Sequence, residues 1–143
     1  MRSTLDLGGS RYWVLSVFGL ALGLLGCTAD ESESEEPTIA DATKLSERPC
    51  PEDSILSYEN FGEPFLLSWC NGCHSSVLPE GERQGAPLGS DFDDLAMVRE
   101  AGARIWARSG DHNRQMPPLA GPEDEERTRL GEWLSCGAPS EAE

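Results

Sequence analysis

Ser68-Trp69-Cys70-Asn71-Gly72-Cys73-His74-Ser75-Ser76 places two cysteines three residues apart with a histidine directly after the second. The residues leading into it are helical in pattern. Pro64 suits a first helical turn, and Phe65, Leu66 and Trp69 recur at the spacing of one helix face. A helix over Gly62–Asn71 therefore delivers Cys70 at its C-terminal end. After the histidine the text turns to "VLPEGERQGAPLGSDF", Val77 to Phe92, rich in the residues that make turns. The cysteine pair thus sits where a helix gives way to a loop.

Two further helices follow. Leu95, Val98, Gly102, Ile105 and Trp106 form an apolar stripe that predicts a helix over Asp93–Ala107. A second loop, "RSGDHNRQMPPLAGP", runs from Arg108 to Pro122. The last helix begins at Pro122 or Glu123, carries acids in its first turn as the macrodipole favours, buries Leu130, Trp133 and Leu134, and stops at "CGAP". No alternating strand pattern and no internal repeat is present, so the fold class is all-α: about three helices with long loops. The domain is expected over residues 50–138, with 139–143 as a disordered tail. Its thin core is near the size at which covalent staples become common.

Cys70, Cys73 and His74 fit C-x-x-C-H, the attachment sequence for a c-type haem. Thiols about one helical turn apart can each add to one vinyl group of a single porphyrin, and the next residue then offers its imidazole to the iron. Three other uses of the pair stay open: a thiol–disulfide redox couple, half of a zinc site, or a structural disulfide. A redox couple usually opens a helix after a strand, and none precedes this one. A zinc site lacks a second C-x-x-C, and His112 is the one other histidine. A haem iron needs a sixth ligand. Met116, 42 residues after His74 and stiffened by Pro117 and Pro118, is the leading candidate. His112 and Met97 are the alternatives, together with an open position.

The N-terminus reads as a targeting segment. Arg2 and Arg11 precede an apolar run from Val14 to Gly26, too short to span a bilayer comfortably and ending in small residues. The run closes in "LLGC", Leu24 to Cys27, which resembles the bacterial lipoprotein cleavage box. That resemblance implies removal of 1–26, lipid on Cys27 and a membrane-anchored protein of the cell envelope, facing the periplasm. Thr28 leans the choice toward the outer membrane. Residues 27–49, with the acidic run Asp30 to Glu36, are expected to be a solvated tether. The chain carries 26 acidic and 11 basic side chains, a net charge of −15. This charge argues against nucleic acid as a partner and for a basic protein surface.

From Tyr58 to Leu134 the chain resembles the class I cytochrome c family. The resemblance rests on a helix running into "CNGCH", a loop reading "MPP" and a C-terminal helix carrying an aromatic. It implies a small cytochrome c-like fold around one covalent haem c. Cys70 and Cys73 would be the thioether links, His74 the proximal ligand and Met116 the distal ligand. It also implies that the first and last helices cross, with Phe65 and Trp69 meeting Gly131 and Trp133. Cys50 and Cys136 then lie just outside the crossing helices. In an exported chain they are expected to pair, the alternative being free or intermolecular thiols. The expected function is a non-enzymatic, membrane-tethered carrier of single electrons between redox partners. Two other classes stay open: a haem sensor or small haem catalyst with an open distal site, and a haem-free lipoprotein held by disulfides.

Overall fold

The computed structural model describes residues 42–142. The expected signal segment 1–26, the lipidation candidate Cys27 and the acidic run Asp30 to Glu36 lie outside the described residues. Within them are three α-helices and no strand: α1 at Glu63–Trp69, α2 at Leu95–Ser109 and α3 at Asp124–Ser135. Among the described residues no helix is long and apolar enough to cross a membrane.

Each helix starts where its caps dictate. A π-helical turn over Tyr58–Gly62 runs straight into α1. Ser57 opens that turn: its hydroxyl accepts from the Asn60 N–H, while the Asn60 side chain accepts from the Ser57 N–H. The turn absorbs what the sequence predicts as the start of the first helix at Gly62. Asp94, not Asp93, caps α2, accepting from the N–H groups of Ala96 and Met97. Asp93 is occupied elsewhere, by Ser75 and Ser76. Glu123 and Glu126 cap α3 reciprocally.

The core gathers Phe61, Phe65, Leu66, Val98, Ile105, Trp106, Leu130, Trp133 and Leu134. The contact expected of the first and last helices, Phe65 and Trp69 meeting Gly131 and Trp133, is not the one observed; Trp133 packs on the π turn that precedes α1. Trp133 lies under the π turn: a Cβ on Gly62 would stand 2.4 Å from its Cζ2. Its neighbouring rings are Tyr58 and Phe61, the latter edge-on at 6.2 Å. Gly131 lies instead against the Asp111 carboxylate, and Trp69 donates its indole N–H to Glu126.

Cys50 and Cys136 form a disulfide, with sulfurs 1.97 Å and Cα atoms 4.9 Å apart. The chain on both sides of this bridge is tied down, which differs from the expected tether and tail. Ala42 and Arg48 are buried and Leu45 packs on the core. The Arg48 guanidinium pairs with Asp111 at 2.9 Å and donates to the Thr128 carbonyl, so a polar segment gains a buried anchor. At the other end the Pro139 carbonyl accepts from the Tyr58 N–H and from the Trp133 indole, and Glu141 N–H donates to Glu59.

Candidate functional site

α1 ends at Trp69, and Cys70 caps it, its N–H donating to Leu66. The backbone then tightens: the N–H groups of Cys73 and His74 both donate to the Cys70 carbonyl. This turn holds both cysteines and His74 beside a cavity of about 460 Å³, within the usual range for small-molecule sites. Both thiols are free. Burial, with Cys73 adding, pushes the Cys70 thiol up to about 12. A redox C-x-x-C nucleophile needs the opposite shift, toward thiolate.

The His74 ring is fixed on two sides. Its Nδ1–H donates to the Ser90 carbonyl at 2.8 Å, and Phe92 stacks on it with centroids 4.7 Å apart. A carbonyl can only accept, so Nδ1 carries a proton, and in the neutral imidazole Nε2 is then the nitrogen with a lone pair for a ligand. The Ser90 carbonyl is itself placed by Arg83, a fully buried residue whose guanidinium binds the carbonyls of Ser75, Ala86, Pro87 and Ser90 and the Asp91 carboxylate.

The second loop lines the same cavity. Met116, Pro117, Pro118 and Leu119 line the same cavity as Cys70, Cys73 and His74. The Met116 N–H donates to the Arg108 carbonyl at 2.9 Å. Its own carbonyl accepts from Ser109 Oγ and from Arg127 Nη1. Arg127 is buried and also binds the carbonyls of Ser109, Asn113 and Pro122, so one guanidinium clamps the loop at several points. His112 is exposed and, like Met97, is not among the residues lining the cavity.

The lining is mostly apolar, with Trp69, Phe92 and Ile105 prominent. Arg83, Arg104 and Arg108 line it as well, and no Asp or Glu does, in a chain whose net charge is −15. The cavity therefore suits a largely apolar ligand bearing anionic groups. Two thiols, one imidazole nitrogen and one thioether facing such a space are the donors that a C-x-x-C-H haem site calls for, and the residues fit that group. Among the described residues no three His, Cys, Asp or Glu side chains gather as a group that could hold a metal ion.

Arg83 and Arg127 were not marked by the sequence. Arg83 sits in a glycine- and proline-rich stretch and Arg127 in an acid-rich one two residues before Arg129; their acceptors are mostly backbone carbonyls, which no side-chain pattern announces. Comparison with protein-family models, with curated proteins and with solved structures finds no match for this chain.

Proposed function

We propose that this domain is a small cytochrome c-like electron carrier holding one haem covalently. The observation that carries the reading is that Cys70, Cys73, His74 and Met116, drawn from two separate loops, line one mostly apolar cavity. Cys70 and Cys73 would each form a thioether by adding S–H across a vinyl group, a redox-neutral step in which the thiol hydrogen ends on carbon. His74 offers Nε2 as the proximal ligand, held in its tautomer by Ser90. Met116 would offer its thioether from the second loop, and Arg104 and Arg108 would offer charge to carboxylate substituents. Haem, when bound, supplies a one-electron Fe(II)/Fe(III) couple whose potential follows axial ligation, burial and nearby charge.

The same reading places the carrier at a membrane, anchored by lipid on Cys27 in a bacterial envelope and exchanging electrons with a protein partner. The net acidity supports a basic partner surface, so transfer is expected to slow as salt rises. The direct test is to export the full chain with haem-attachment machinery and stain a denaturing gel for covalent haem. Staining that disappears in the Cys70→Ser, Cys73→Ser double variant supports the proposal. An unstained wild-type band overturns it.

A further inference from the structure

His74 shares its hydrogen-bond acceptor with a buried cation. The Ser90 carbonyl accepts from His74 Nδ1 at 2.8 Å and from Arg83 Nη2 at 3.2 Å. Arg83 is 1% exposed, and its Nη1 also binds the Ser75 carbonyl, the residue next to His74, at 2.6 Å. Its counter-charge is Asp91, 2.5 Å from Nη2. The guanidinium therefore grips the chain at the residue after the histidine and again at Ser90, against the one backbone atom that accepts the imidazole hydrogen bond.

We infer that Arg83 is a positioning residue that limits the electron donation of His74, with Asp91 as the opposing charge, and that this pair sets the reduction potential of the site. The inference rests on the haem reading above. A carbonyl polarised toward a guanidinium is a weaker acceptor for a second N–H, because its lone pairs are already drawn toward positive charge. A weaker Nδ1–H bond leaves the imidazole less basic at Nε2, hence a poorer donor to iron. The positive charge adds to this directly, since a nearby cation favours the reduced, less positive iron and low dielectric strengthens the effect. Both contributions of Arg83 raise the potential. The Asp91 carboxylate lowers it.

The two partners thus have opposite expected signs, which an arginine that only clamps its loop would not produce. Loss of either member of a purely structural clamp loosens the same Ser75–Asp91 loop and shifts the potential in the same direction. The test is redox titration of the haem-loaded full chain for wild type, Arg83→Gln and Asp91→Asn, with the absorption spectrum recorded to check that the ligands are retained. The expected result is a downward shift of the midpoint potential in R83Q and an upward shift in D91N. Either variant unchanged, or both shifting the same way, overturns the inference while leaving the haem proposal standing. Should R83Q yield no folded protein, D91N decides alone: an upward shift supports the inference, and no shift or a downward one overturns it. Wild-type chain without covalent haem overturns the haem proposal and this inference with it.

Discussion

Gly62 lies directly against the ring of Trp133, where an added Cβ would stand 2.4 Å from Cζ2 and 2.6 Å from Cη2. The indole has no room to yield: it is fully buried, flanked by Tyr58 and Phe61, and its N–H is committed to the Pro139 carbonyl. Gly62→Ala is therefore expected to destabilise the domain by about 1–3 kcal/mol through overpacking. Urea unfolding of the haem-loaded chain measures it. A midpoint equal to wild type would show that the π turn and α3 do not pack this closely.

The Cys50–Cys136 bridge closes a loop spanning a sequence separation of 86. In the chain-entropy model such a closure contributes roughly 4–5 kcal/mol by restricting the unfolded chain. Cys50→Ser, Cys136→Ser is expected to lose much of that. A phosphine reductant should lower the wild-type unfolding midpoint, an effect the double variant lacks; the thioether links proposed for haem would resist such a reductant. Insensitivity of wild type to reductant would contradict the bridge.

Asp111 holds Arg48 in place. Their side chains are 4% and 0% exposed, and Asp111 also accepts from the Trp106 indole. Removing the carboxylate charge leaves a buried cation unpaired, a loss of about 3–5 kcal/mol. Asp111→Asn is expected to show it in thermal unfolding, and to make the bond preceding Cys50 accessible to limited proteolysis. A variant as stable and as protease-resistant as wild type would mean that residues 42–48 are not anchored by this pair.

A pH dependence follows from Asp93. Burial works against its carboxylate, but hydrogen bonds from Ser75 Oγ and from the hydroxyl and N–H of Ser76 hold it below the ordinary aspartate range. A group whose folded pKa is depressed stabilises the fold above its unfolded pKa, near 3.9, and loses that contribution as pH falls through the folded value. Asp93→Asn should therefore be less stable than wild type at pH 7, with the difference shrinking below about pH 4. A difference that is constant from pH 7 to pH 3 would exclude this titration as its source.

The three helices were legible because Phe65 and Leu66, Val98 and Ile105, and Leu130, Trp133 and Leu134 fall at helical spacing, and all of them are buried. The cysteine–histidine motif and the methionine loop were legible because each concentrates unusual residues in a short span. What escaped was carried by charge. Arg48 falls in the stretch expected to be a solvated tether, and nothing in the sequence sets Arg83 or Arg127 apart, yet each is buried against carbonyls or a carboxylate. Burying a cation is favourable only with that set of partners in place, and the partners are distant in sequence or lie on the backbone. The same blindness misplaced the helix crossing: Gly62 and Gly131 are equivalent in the text, and only the fold assigns Trp133 to one and Asp111 to the other.

Met116 and His112 are four residues apart in one loop, and the cavity is lined by the first and not by the second. The most direct measurement is the oxidised absorption spectrum of the haem-loaded full chain beside Met116→Ala and His112→Ala. The expected result is a sulfur-to-iron charge-transfer band in wild type and in H112A that is lost in M116A. A wild-type spectrum without that band, or a band that survives in M116A, would contradict ligation by Met116 and the electron-carrier function built on it.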